Sequence, residues 1–317
     1  YNYPYARITT SYKNIQYTNL YTMFTNLSDG GVKTPANIER LFQKKIGNFQ
    51  LLSFNFFKRL QIGLFQGMIW QPTDSTNRQH VNFDTFDPII GVNAASYGLR
   101  SKNNIVLGLT FKYKIHRSIA VYGQVVIDDL HRKTDVNTVH DKYGAQVGIK
   151  LFDLFTIKNL HFQAEYNSVN PYTYSSSNSA YSYTHYNQPL AHPLGANLNE
   201  MVGCLNYRIH NYFAQCKLIE IERGIDSTGF VAGNNVFAPD NKFSSQQNMQ
   251  SVGILQGTRS TLIYMDFQIG YLVNPVTNFN VMLGCVGRVD HIASKNFNST
   301  VVYFAIRTSL ANFYYDF

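Results

Sequence analysis

The chain has 317 residues and a net charge of +8, with 23 tyrosines and 23 phenylalanines but only 15% charged residues, well under the roughly 25% of ordinary soluble domains. No run approaches the roughly 18 apolar residues that a spanning helix needs, so a helical membrane protein is excluded. No cationic run or basic helix gathers the positive charge, which argues against nucleic acid as a partner.

Two-residue alternation recurs along the chain and marks strands with one apolar and one polar face. The stretch 5–24 reads as one long strand or a pair. Residues 34–45 (TPANIERLFQKK) read as the one helix, with Pro35 at its start and Ile38, Leu41 and Phe42 on one face. Ile105, Leu107, Leu109, Phe111, Tyr113 and Ile115 then face one way, and Asn104, Gly108, Thr110, Lys112 and Lys114 the other. The same alternation runs through 143–151, 160–167 and 263–271. Each run comes close to the length of about 9–11 residues of a tilted membrane strand.

The connectors carry more information than any single strand. Short links fall at 58–59, 116–118, 153–159, 210–211 and 274–278, and longer ones at 70–103, 129–142, 168–200, 223–260 and 290–300. Tight turns at one membrane face and long loops at the other are the outer-membrane pattern. The reading is all-β: a transmembrane, antiparallel, up-and-down β-barrel of about 12 strands, a single domain over 1–317. It predicts a bacterial outer-membrane location, with short periplasmic turns, long extracellular loops and both termini periplasmic. A soluble sandwich or propeller competes, but strands this long with connectors this regular count against it. The chain ends SLANFYYDF. Phe317, after the alternating Val302, Phe304 and Ile306, resembles the terminal aromatic by which outer-membrane assembly machinery recognises its clients.

Several segments resemble a known family: YKNIQYTNLY (12–21), KYGAQVGIKLFD (142–153), QAEYNSVNPYTYS (163–175) and above all YTHYNQPLAHPLGAN (183–197). With IRTSL and the YYDF end, they are similar to the Bacteroidota outer-membrane proteins of the Wzi-like capsule-assembly family, its gliding-motility members most of all. The resemblance implies an outer-membrane barrel tied to surface polysaccharide, or to surface adhesion and gliding. Family members are longer, so the match implies that this chain corresponds to their C-terminal portion, its barrel being short, truncated or completed by something else.

The 168–200 loop is the main candidate site. Tyr172, Tyr174, Tyr181, Tyr183 and Tyr186 offer faces for sugar rings, and His185, Asn187, Gln188 and His192 offer hydroxyl partners. The bland alternative is that these tyrosines fold inward and plug the lumen, a path favoured by Pro189, Pro193 and Gly195. Lys112, Lys114, Lys150 and Arg208 fall on the lumen-facing parity, as a basic ring that either selects anions or pairs with an inserted loop. Cys204 reads toward the lumen, Cys216 and Cys285 toward lipid, with no bridge among them.

His185 and His192 lack the convergent partners that a metal needs, so neither metal nor cofactor is expected. No GxSxG, HExxH, CxxC or phosphate loop occurs, and the chain does not read as an enzyme. The expected partners are the lipid bilayer with its lipopolysaccharide, surface polysaccharide, and other outer-membrane or adhesion and gliding proteins. The competing functions are a porin-like channel for small anionic or sugar solutes, or an accessory barrel subunit of a larger outer-membrane complex. Asp74-Ser75-Thr76 and Asp226-Ser227-Thr228 resemble short O-glycosylation sites.

Overall fold

A computed structural model describes residues 2–27, 43–72, 86–99, 103–129, 141–240 and 253–308. Thirteen long antiparallel strands follow one another around a single sheet. They are β1 (Tyr5–Tyr12), β2 (Ile15–Asn26), β3 (Gln43–Phe56), β4 (Leu60–Trp70), β5 (Asn104–His116), β6 (Ile119–Asp129), β7 (Lys142–Leu151) and β8 (Leu160–Val169). After two short strands, β9 (Thr184–His185) and β10 (Gln188–Pro189), the wall resumes. It continues with β11 (Leu198–Ile209), β12 (Tyr212–Ile225), β13 (Thr258–Asn274), β14 (Phe279–Ile292) and β15 (Lys295–Arg307). One short helix, α1 (Val92–Tyr97), lies between β4 and β5.

This is the up-and-down meander read from the connectors, with corrections at 290–300 and 43–45. The first segment is two strands, joined at Lys13-Asn14 with Lys13 at φ 49°. Lys-Asn lacks the glycine that usually announces such a turn. The connector read at 290–300 is a tight turn at Ala293-Ser294, because the polar run after it is the exposed upper half of β15. The count therefore rises from about 12 to thirteen, and the two ends of the sheet part company. Tyr5 starts β1 at the end bearing the long connectors, whereas Arg307 leaves β15 at the tight-turn end, so the described wall begins and ends at opposite faces. Of the expected helix at 34–45, residues 34–42 lie outside the described ones and Gln43–Lys45 open β3 instead. Asp74-Ser75-Thr76 and Phe317 also lie outside them.

Period-two alternation governs both faces. The outer face carries exposed Met201, Leu205, Leu218, Met265, Phe267 and Leu283, an apolar belt that no described residue covers. Tyr212 and Tyr271 meet edge-to-face across the seam of β12 and β13 at its tight-turn edge, 5.0 Å apart. The inner face is polar and glycine-rich, and aromatic rings lie across the glycines. Phe65 covers Gly108, Tyr122 covers Gly148 and Tyr303 covers Gly284, each a direct cross-strand partner. A Cβ at Gly108 would meet the Phe65 ring at 2.1 Å, so these positions hold the sheet's curvature by close approach. The buried core sits at the long-connector end, where loops fill the mouth of the barrel.

Candidate functional site

Three connectors build one cap across that mouth: 170–197, 226–240 and 253–257. The first begins where β8 ends. Tyr172 turns the chain at φ 63°, donates its hydroxyl to Val231 O at 2.7 Å, and lays its ring on Gly233. Gly233 itself has φ 78° and a Cβ there would sit 2.7 Å from the ring, so only glycine serves.

Three charged wall residues then hold the cap. Asp128, at the top of β6, accepts the Tyr174 N–H at 2.7 Å. Lys45, fully buried on β3, donates to Ser182 O at 2.9 Å and to Thr184 Oγ1 at 2.7 Å. Lys142 on β7 pairs with Asp240 and donates to Ser175 O at 3.2 Å, tying the second connector to the first. Buried charges are tolerated only where they are paired or fully hydrogen-bonded, and here each is spent on the cap.

Between these anchors Tyr183 inserts into the barrel. It is 4% exposed and packs with Phe24, Ile69, Val106 and Val126, while its hydroxyl donates to Asn104 O at 3.3 Å. Tyr174 meets it edge-on at 6.0 Å. Burial pushes the phenols of Tyr174, Tyr181 and Tyr183 above their usual range, so all three are neutral.

His185 follows on β9, with its ring against Tyr186 at 4.5 Å, Tyr3 at 5.5 Å and Phe24 at 5.6 Å. Its Nδ1 accepts the Thr25 N–H at 3.1 Å, which requires an unprotonated nitrogen there. Burial first, and then the nearby Lys45 and Lys44, lower its pKa. The return strand leads to His192, whose Nδ1 accepts the Leu194 N–H at 3.2 Å and whose Nε2 lies 3.2 Å from Glu200. Asn167 donates to the same carboxylate at 2.7 Å.

The loop tyrosines thus take the inward-folding course rather than standing as an open ligand platform. Tyr172, Tyr183 and His185 are buried, Tyr174 and Tyr181 are half-buried in core clusters, and His192 is tied to Glu200. Asn187 and Gln188 are exposed and Tyr186 is half-exposed. The basic residues are placed as parity predicts but do not meet the cap. Lys112, Lys114, Lys150 and Arg208 all fall on the inner face, in the tight-turn half of the wall. Lys112 and Lys114 are exposed, Lys150 sits over the Tyr122 ring at 5.2 Å, and Arg208 donates to His210 O at 3.3 Å. The anchors that the sequence reading missed are Lys45, Lys142 and Asn197. Lys45 was assigned to a helix and Lys142 to a loop end, and nothing in the pattern marks Asn197 as a hub.

Beneath the cap lies a cavity of about 930 Å³, lined on the inner wall by Tyr5, Arg7, Leu20, Phe49, Phe65 and Gln124. Glu165 gathers a polar network on the neighbouring wall, accepting from Tyr122, Gln146 and Gln163.

A long-stranded antiparallel meander with an apolar outside, a polar inside and a mouth closed by its own loops is a β-barrel of the outer-membrane type. No protein-family model matches the chain, and no curated protein matches it in sequence. Among solved structures it is similar to Wzi of Escherichia coli, described as an outer-membrane protein involved in group 1 capsule assembly and a carbohydrate-binding β-barrel. That likeness has a TM-score of 0.53 at 12% identity and covers 90% of this chain and 53% of the other, so this chain spans about half the length of that protein. OprD of Pseudomonas aeruginosa (TM-score 0.43, 7% identity) matches 96% of this chain and 70% of its own. OccD3 (OpdP) of the same organism (0.44, 11%) matches 96% and 68%. At these identities the likeness is one of fold.

Proposed function

We propose that this protein is a non-enzymatic bacterial outer-membrane barrel that binds or anchors surface polysaccharide at its extracellular cap. The observation that carries the reading is the cap itself. A channel for small solutes needs an open path, whereas here buried charges and tyrosines fix three connectors across the mouth. The outer surface of such a cap is rich in amides, hydroxyls and aromatic edges, the groups that recognise sugars. Tyr186, Asn187 and Gln188 are its accessible contacts; Tyr172, Tyr174, Tyr181, Tyr183 and His185 hold their shape. The fold shared with Wzi, a carbohydrate-binding barrel, supports the same class of ligand.

The resemblance of 183–197 and its companions to Bacteroidota proteins, RemB of gliding motility in particular, extends the proposal to cell-surface adhesion and gliding. In that setting the polysaccharide-bound barrel is one subunit of a surface apparatus. The long connectors are extracellular and the tight turns periplasmic.

The test is binding of the detergent-solubilised protein to an array of bacterial capsular polysaccharides, with conductance measured in planar bilayers. Saturable binding, weakened by Asn187→Ala with Gln188→Ala and accompanied by low conductance, is expected. A steady anion-selective conductance without binding would replace this reading with the porin-like one.

A further inference from the structure

The outer wall of β2–β5 breaks the apolar rule followed elsewhere. Asn19, Gln50 and Gln66 form one cross-strand row on the outer face, with Leu107 as the next member. Gln50 and Gln66 are 2% and 1% exposed, although no wall strand lies outside them. What covers them is the segment 86–91 between β4 and β5, which runs down the outside of the barrel.

The wall supplies donors to three successive carbonyls of the segment, and the segment's own residues and Gln66 meet further backbone groups. Tyr21 donates to Phe86 O at 3.1 Å. Asn48 and Gln50 both donate to Asp87 O, at 3.2 and 2.6 Å. The Tyr17 hydroxyl donates to Pro88 O. Ile89 O receives the Val92 N–H at 3.3 Å, the Ile89 N–H reaches Asp87 Oδ1 at 2.8 Å, and the Gly91 N–H reaches Gln66 Oε1 at 3.1 Å. The side turned away from the wall is apolar: Pro88 is exposed and Ile89 is 59% exposed.

The height of these contacts gives them meaning. Tyr17 shares its row with Leu52, Leu64 and Leu109. Leu109 lies four residues above Tyr113, about 13 Å along the strand, or about 10 Å of height at a tilt of about 40°. The Gln50–Gln66 row, two residues higher, stands about 15 Å above Tyr113, inside an apolar band about 25 Å tall. Irregular backbone at that depth is stable only if its polar groups are met by protein. Bare glutamine amides there would each cost several kcal/mol. Strap and wall solve each other's problem.

We propose that residues 86–91 form a re-entrant strap at hydrocarbon depth, its backbone held by Tyr17, Tyr21, Asn48, Gln50 and Gln66, with Pro88 and Ile89 in contact with lipid acyl chains. The proposal rests on the outer-membrane reading above, and the experiment separates the two. A single cysteine at Ile89→Cys, in a Cys204→Ala, Cys216→Ala, Cys285→Ala background, is labelled with an environment-sensitive dye in phosphatidylethanolamine–phosphatidylglycerol vesicles. A Met265→Cys label on the opposite outer wall is the reference. Both labels are expected to be quenched by acyl-chain nitroxide lipids at least threefold more than by aqueous iodide. Lipid quenching at Met265→Cys with iodide quenching at Ile89→Cys overturns the strap alone. Iodide quenching at both sites overturns the membrane reading. If the cysteine-free background does not fold, Ile89→Trp and, separately, Met265→Trp in the natural sequence, each read by brominated-lipid against iodide quenching over the background of the single, buried native Trp70, give the same decision.

Discussion

Asn197 and Gly224 hold each other reciprocally: the Asn197 amide donates to Gly224 O at 3.0 Å, and the Gly224 N–H returns to Asn197 O at 3.0 Å. The same amide also reaches Ala232 O and Gln256 O, and its oxygen accepts the Leu255 N–H at 2.6 Å. One fully buried side chain therefore joins the ends of all three cap connectors. Asn197→Ala removes the side-chain bonds, leaving only the backbone one, and strands buried carbonyls, a local cost on the order of 3–5 kcal/mol. Amide exchange is expected to speed up together across 170–197, 226–240 and 253–257 while the wall strands stay protected. Exchange that rises in one connector only would show that the three are not a unit.

Gly224→Ala tests the same knot from its partner. A Cβ there would fall 1.8 Å from Gln256 O and 2.5 Å from the Asn197 amide, and the backbone oxygen cannot swing aside. The variant is expected to match Asn197→Ala in surface proteolysis of the cap, and the double variant to add little, because both break one contact. Additive effects would count against a shared knot.

Lys45→Met keeps the length of the buried stem but leaves Ser182 O and Thr184 without their donor, which costs about 1–3 kcal/mol. The cap is expected to admit trypsin while the heat-modifiable mobility of the barrel is retained. A barrel that no longer migrates as a folded species would mean that Lys45 supports the wall rather than the cap.

The pH response follows from His185. Its folded pKa lies below the ordinary 6.5, so the folded cap binds fewer protons than the free loop. The stability it contributes is complete above about pH 6.5 and is lost as pH falls through the lower folded value. Cap exchange is expected to increase between pH 7 and 5, and His185→Gln, which keeps an acceptor for the Thr25 N–H, is expected to flatten that increase. An unchanged slope in the variant would assign the response elsewhere.

Strand positions, facing and loop-end polarity were legible because period-two alternation and connector length are local properties. Cys204, Cys216 and the lumen-facing Lys112 to Arg208 set fall where parity put them. The inward fold of the 168–200 loop was legible in part, since its prolines restrict the path. What anchors that loop was not. Lys45 stands in a segment of helical composition, and Asn197 is one asparagine among many. The outer-face amides Gln50 and Gln66 are also nonlocal, because only the folded chain brings 86–91 over them.

The last prediction concerns the seam. β1 and β15 are the two edges of the described sheet, and both stand exposed, with Val302 at 76% and Phe304 at 62%. In hydrocarbon an open edge leaves a row of backbone groups unmet, at several kcal/mol each. The edges cannot simply join as their neighbours do. As the first and thirteenth strands of an alternating wall they run in the same direction, so a direct β1–β15 pairing would be parallel. A second copy in the same membrane orientation offers only parallel edges too. Antiparallel closure therefore requires an odd number of further strands, and an even total, as bacterial barrels have. Photo-crosslinkers at Ile8 on β1 and Phe304 on β15, in the native membrane, are expected to capture additional strands and not each other. A direct Ile8–Phe304 adduct would show that the thirteen strands close alone.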